Sequence, residues 1–308
     1  MHIAPDVALV DPPVRLWRPT RQTLPLVLAS PHSGSIYPPA FQAASRLSQS
    51  ALRRSEDCFV HEIFQASARL GAPLLSARFP RAYCDVNREP HELDPSMFDG
   101  DLPSYANTSS LRVAGGLGTI ARVVSGGEDI YAGRLPVAEA ERRIRQYYRP
   151  YHAALARLVE ETRNRFGFCI LLDCHSMPSS VALSGGGHLP FARRRAPLRP
   201  DIVLGDRFGT SCLRALTDRA DESLTASGYQ VARNAPYAGG FTTSHYGRPE
   251  ISLHALQIEI NRGLYMDEDR YVRTAGMTEI AGHMTRMVRR MMMAFGIAEF
   301  SSVPAAAE

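Results

Sequence analysis

Two runs of mainly apolar residues stop at a histidine. LVLAS, residues 26–30, leads into Pro31-His32-Ser33-Gly34, and FCILLDC, residues 168–174, leads into His175-Ser176. Apolar runs this short, without helical or alternating spacing, read as strands covered on both faces. Strands of that kind belong to sheets with a helix layer on each side. In such sheets ligands bind just beyond the carboxyl ends of the strands. A histidine placed there is either a hydrogen-bonded loop residue or a functional group.

The rest of the chain repeats the alternation. Further strands are read in APLLSARF (72–79), DIVLGD (201–206), YQVARN (229–234) and ALQIEINR (255–262). Helices are read over 46–70, with Gly71 as the stop, and over 136–167, with a kink at Pro150. Two more are read over 208–228 and 268–296. The expected fold is α/β, a sheet with helices on both faces. Residues 91–134 are rich in Gly, Ser, Asp and Pro, a long excursion of the type that carries function.

The 308 residues, 44% of them hydrophobic, suffice for a sizeable core and are read as one domain, with 1–22 as an N-terminal arm and 297–308 as a frayed tail. A net charge of +4 calls for no nucleic-acid partner, although a locally basic cleft would suit a small anion. No run reaches the ~18 apolar residues of a membrane span, and the N-terminus lacks the pattern of a secretory signal. Five scattered cysteines without a CxxC pair fit reduced thiols, so a cytoplasmic setting is expected. Cys174 is read as a small buried residue, with a thiol ligand or nucleophile as the alternative. SGGGH lacks the Lys-Ser/Thr of a phosphate loop, ARRR reads as a solvated charge run, and no GxSxG serine motif occurs.

Two histidines and one carboxylate with an open fourth position form the ligand set of a catalytic zinc. His32 and His175 supply the imidazoles, and the adjacent Glu56 and Asp57 both offer the acid. Glu259 interrupts a strand that should be buried. It is either a solvent-facing edge residue, the partner of Arg262, or a general base. RAYCDVNRE contributes Arg81, Asp85, Asn87 and Arg88. Arginine forks bind carboxylates or steady an oxyanion, whereas Asp85 reads as a loop cap. NAPYAGGFTTSHYGRP is a substrate lid or a hairpin loop, in which Asn234 and Gly240 are candidate substrate contacts. His152 is read as packing on its helix, with a place near the substrate as the alternative.

The pieces PHSGSIYP, SEDCFVHEIF, RFPRAYCDVNRE, YRPYHAAL, LLDCHSMPS, DIVLGD, NAPYAGGFTTSHYG and ALQIEINRGLYM resemble the N-formylglutamate amidohydrolase family, in that family's order, over about residues 24–267. The resemblance implies a mixed, mostly parallel sheet related to the zinc carboxypeptidases, and one zinc ion. It implies His32, Asp57 and His175 as the metal ligands, with Glu56 as the fallback for Asp57. Ser35 stands three residues after His32, where carboxypeptidases carry a ligand glutamate. The resemblance also implies Glu259 as the catalytic base, and Asn87 with Arg88 as a pair holding a substrate carboxylate. Arg88 or Arg81 is the candidate that steadies the oxyanion or grips a carboxylate, with Arg262, and Arg248 from its loop, as further cations for an anionic substrate. The implied reaction is zinc-dependent hydrolysis of an N-acyl amino acid, first of all N-formyl-L-glutamate. The alternatives are another N-acyl amino acid or a small peptide, or a non-catalytic metal- or ligand-binding protein on the same scaffold.

Overall fold

A computed structural model describes residues 10–181 and 199–293. The SGGGH and ARRR segments and the tail 297–308 lie outside the described residues.

Seven strands form the main sheet: β1 (Val14–Trp17), β2 (Leu26–Ser30), β3 (Leu74–Ala77), β4 (Cys169–Met177), β5 (Ile202–Gly205), β6 (Val231–Arg233) and β7 (Leu253–Asn261). Their order is β1-β3-β2-β4-β7-β5-β6. The strands β3, β2, β4 and β7 run parallel, so their carboxyl ends share one edge. β1 pairs antiparallel with β3, and β5 antiparallel with β7. The sheet is therefore mixed and mostly parallel, as expected. β1 comes from the N-terminal arm and was not foreseen. Its half-exposed residues carry little of the apolar signal that marks the buried strands.

Successive side chains of a strand point to opposite faces. Leu26, Leu28, Ile170, Leu172, Cys174, Leu256, Ile258 and Ile260 pack on one side. There they meet α1 (Val60–Ala68), the helix Arg214–Thr225 and the C-terminal helix Gly276–Met293. Val27, Ala29, Leu171 and Ala255 point the other way, onto the helix Arg149–Phe166 and the excursion that follows β3. Phe79, Tyr83, Ile120, Val124 and Tyr131 from that excursion join this second core, which makes it a wall of the molecule.

Three helix expectations are corrected. The helix read over 46–70 is two helices, Gln49–Arg53 and α1, separated by a turn through Ser55-Glu56-Asp57 in which Phe59 has φ 64°. The polar SED triplet has no apolar face to bury, so the chain leaves the helix there. The helix over 136–167 is not one regular α-helix. A π-helical turn, Ile144–Tyr148, joins Val137–Arg143 to Arg149–Phe166 and lies just ahead of the proline, whose nitrogen cannot donate. The last helix starts at Gly276 rather than 268. Asp267 accepts hydrogen bonds from the Asp269 and Arg270 N–H groups and closes a turn instead.

Candidate active site

Each candidate ligand arrives by a different route. His32 leaves β2 on a loop held against the residues after β3, where Ile36 N–H donates to Arg78 O at 3.0 Å. Gly34 is required in that loop, since a Cβ on it would lie 2.0 Å from the Phe79 carbonyl oxygen. Asp57 sits in the turn that splits the predicted helix, and its N–H donates to His32 O at 3.0 Å. His175 stands near the end of β4, on the face opposite Cys174.

The three side chains converge. One nitrogen or oxygen from each of His32, Asp57 and His175 lies within 4.8 Å of the others, and all three residues are buried. His175 Nδ1 is 2.9 Å from Asp57 Oδ2, and His32 Nδ1 is 3.4 Å from the same oxygen. The far nitrogen of each ring faces a second carboxylate. His32 Nε2 donates to Asp85 Oδ1 at 2.8 Å, and His175 Nε2 lies 3.0 Å from Asp173 Oδ2. Carboxylates at Nε2 turn both Nδ1 atoms toward Asp57 and set the rings' orientation. His32 Nδ1 is buried with no hydrogen-bond partner among the described residues. A buried lone pair without a donor, beside a second imidazole and a carboxylate, fits a divalent cation. Glu56 does not compete. Its carboxylate accepts from Tyr37 Oη at 2.6 Å and from Arg53 Nε, away from the rings.

The electrostatics agree with a cation site. Burial alone would raise the Asp57 carboxyl, but His175 and His32 hold it well below the usual range. Burial alone would lower the His175 imidazole, but Asp173 and Asp57 hold it well above the usual range. A pocket that favours positive charge on a ring also favours a metal cation next to it. Asp85 is held low in spite of its burial by Arg88, Arg81 and His32.

Parallel pairing sets His175 beside Glu259 and Asp173 beside Gln257. All four share one face by the two-residue repeat. Glu259 is buried, not a solvent-facing edge residue, and its Oε1 accepts from Gln257 Nε2 at 2.9 Å. Burial pushes its carboxyl up to about 7, with His175 and Arg81 opposing the rise and Asp57 and Asp173 adding to it. Arg262 is not its partner. That guanidinium donates to Asp57 Oδ1 at 3.1 Å, to Ser176 Oγ at 3.2 Å and to Arg54 O at 3.1 Å.

A cleft of about 340 Å3 opens over Asp57 and Glu259, with Arg81, Arg88, Arg262 and Tyr237 in its wall. Arg81 binds Asp85 through Nε at 2.9 Å, and its two terminal nitrogens carry no hydrogen bond among the described residues. Arg88 gives Nε to Leu117 O and Nη1 to Asn87 O, both at 2.8 Å, which leaves Nη2 3.7 Å from Asp85.

Three expected substrate contacts do not line this cleft: Asn87, Asn234 and Gly240. Asn87 is spent inside the protein, donating to Asp173 Oδ2 at 3.3 Å and accepting from Thr242 N–H at 2.8 Å. Asn234 has φ 58° and caps the turn at Asp206 and Phe208. Gly240 opens a short helix, Phe241–Tyr246, within the segment read as a lid or hairpin loop. His152 packs on its helix, its ring centroid 4.4 Å from that of Tyr148, and does not line the cleft. It bridges Tyr246 Oη at 2.9 Å and Val86 O at 2.8 Å.

Asp85, Asp173, Gln257 and Tyr237 were missed as site residues. The signal for two of them was in the strands. Asp173 and Gln257 each lie two residues before a residue already singled out, on the same face of an otherwise apolar run.

The fold and this cluster together define a class, an α/β protein with a buried His-Asp-His candidate metal centre and a carboxylate on the neighbouring strand. The chain belongs to the N-formylglutamate amidohydrolase family, whose model matches residues 24–266. It is 39% identical to a crystal structure of N-formylglutamate amidohydrolase from Ralstonia eutropha JMP134, with a TM-score of 0.82, covering 92% of this chain and 98% of that one. It is 30% identical over 280 residues to an N-formylglutamate deformylase of Pseudomonas aeruginosa, spanning 90% of this chain and 95% of that protein. A Pseudomonas putida N-formylglutamate deformylase is 29% identical over 248 residues, 80% of this chain and 83% of that protein.

Proposed function

We propose that this chain hydrolyses N-formyl-L-glutamate to formate and L-glutamate, with one zinc ion held by His32, Asp57 and His175. The observation that carries the reading is the pairing that sets Glu259 beside His175, with Asp57 and an arginine-walled cleft in front of both. The named relatives support the substrate, and the unpartnered Nδ1 of His32 supports the ion. A cation bound there supplies Lewis acidity, polarising a carbonyl oxygen and acidifying water.

The chain's own groups do the rest. Arg81 presents a free fork to a substrate carboxylate, and Arg88 Nη2 offers a second cationic donor for the other carboxylate or the developing oxyanion. Arg262 positions Asp57 rather than substrate, because its nitrogens are committed to the protein. Glu259 takes a proton from the attacking water as the oxygen bonds to the formyl carbon. The C–N bond then breaks, and Glu259 returns that proton to the departing nitrogen, giving an amine and formic acid that ionises to formate. The raised affinity of Glu259 for a proton suits both halves of this exchange.

No helix among the described residues is long and apolar enough to cross a membrane. We further propose a cytoplasmic setting and a role in amino-acid degradation such as histidine breakdown. Five buried, unpaired thiols support the compartment. The test is a panel of formyl, acetyl and succinyl amino acids on purified protein of measured metal content. Formate release from N-formylglutamate that chelation abolishes and zinc restores is expected. Activity that survives complete metal removal overturns the metal assignment, and preference for a larger acyl group overturns the substrate.

A further inference from the structure

Gln257 is buried in the middle of β7, where an apolar side chain would be expected. Both ends of its amide are occupied. Nε2 donates to Glu259 Oε1 at 2.9 Å, and Oε1 accepts from Gly240 N–H at 2.8 Å. Gly240 is wedged in place on its other side. A Cβ there would lie 2.5 Å from both the oxygen and the nitrogen of the Asn87 amide. Asn87 in turn accepts from Thr242 N–H and donates to Asp173, the carboxylate at the back of His175. The backbone at 240–242 is thus gripped by two side-chain amides, one leading to Glu259 and one leading to His175.

We infer that Gln257 is a positioning residue that holds the Glu259 carboxylate by Oε1, keeps Oε2 toward the cleft, and ties the base to the backbone at Gly240. An unrestrained carboxylate would rotate about its last torsion, which is broad and weakly preferred. A single hydrogen bond from a fixed amide removes that freedom. The amide is itself fixed, because its oxygen is held by a backbone N–H in a loop that cannot shift toward Asn87. The inference rests on the reading of Glu259 as the base, and Gln257 acts through that residue rather than on substrate.

The test uses the full-length protein and two substitutions. Gln257→Met removes both hydrogen bonds at similar volume. Gln257→Glu keeps an acceptor for Gly240 N–H but replaces the fixed N–H with a second buried carboxyl that shares a proton with Glu259 and so competes with its role as base. Both variants are expected to lose about 10–100-fold in kcat, the scale of a small misplacement of a reacting group, with KM and bound metal near wild type. In a Glu259→Gln background the further loss from Gln257→Met should vanish, since the group it positions is gone. Wild-type kcat in Gln257→Met, or an undiminished further loss in the Glu259→Gln background, overturns the inference and leaves only a loop brace. Crystal structures of wild type and Gln257→Met decide it without turnover. The Glu259 carboxylate should be single in wild type and rotated or split in the variant, and an unmoved carboxylate refutes the inference. A wild-type protein with no N-acyl amino acid hydrolysis would refute the proposed function instead, and the crystallographic comparison would still decide the role of Gln257.

Discussion

The two faces of the central sheet are built from the same strands and do opposite things. On one face, Leu172, Cys174, Leu256, Ile258 and Ile260 continue an apolar layer under three helices. On the other, Leu171 and Ala255 begin the same way, but the next residues along are Asp173, His175, Gln257 and Glu259. One residue of translation along the strand separates core from site. The polar face is tolerable because each of these four side chains makes at least one hydrogen bond or ion pair, whereas a wholly unpartnered buried charge costs several kcal/mol. The lesson is that the apolar face holds the strands at fixed register, and the register then serves as the positioning device for the polar face.

The sharpest way to break this comparison is to substitute neighbours on opposite faces. His175→Ala should abolish metal binding and reduce turnover to background. Ile258→Ala should cost about 2–5 kcal/mol of stability by creating a cavity while leaving turnover per folded molecule intact. Denaturant unfolding together with metal analysis and kinetics checks both, and an active His175→Ala would end the division of labour. Next in size, Glu259→Gln should lower kcat by about 10²–10⁴-fold and keep the metal, the signature of a lost general base.

Smaller effects sharpen the picture. Asp173→Asn should weaken metal affinity about 10–100-fold, because the carboxylate behind His175 no longer sets the ring. Competition with a chelator of known affinity measures this. Arg81→Met should raise KM for N-formylglutamate by about 10–100-fold with little change in kcat, the worth of a charge-assisted hydrogen bond of about 1.5–3 kcal/mol to bound substrate.

The smallest expected effect concerns the seam between the polar face and the helix over it. Burial pushes the His152 imidazole down to about 4, so it is neutral in the folded protein at pH 5. The unfolded chain takes up the proton near pH 6.5. Stability from this group is therefore complete above about pH 6.5 and is lost as pH falls toward 4, a loss of about 2 kcal/mol between pH 7 and pH 5. Denaturant midpoints across that range should fall less in His152→Gln, which can keep bonds to Tyr246 and Val86, than in wild type.

Much of this was legible in the chain. Uninterrupted apolar runs announced buried strands, and a histidine at the end of two of them announced a site at the carboxyl edge. Glu259 was visible because it broke the apolar pattern. Asp173 and Gln257 broke the same pattern, and the two-residue repeat put them on the same face as His175 and Glu259. Asp57 was legible as a candidate but not as the winner over Glu56, since adjacent acids look alike until a turn points one carboxylate at the histidines and the other at Tyr37 and Arg53. Asn87 misled for the opposite reason. Its residue type suits a substrate contact, yet both ends of its amide are consumed by Asp173 and Thr242.

Local pattern thus specified which segments are strands and which residue types were available for chemistry, because hydrophobic burial and backbone preference act over a few residues at a time. Which acid faces the two histidines, and which asparagine is spent inside the protein, were decided by contacts between segments 86 to 155 residues apart. Those depend on strand register and on where each hydrogen bond is already spent, and neither quantity is defined until the sheet has assembled.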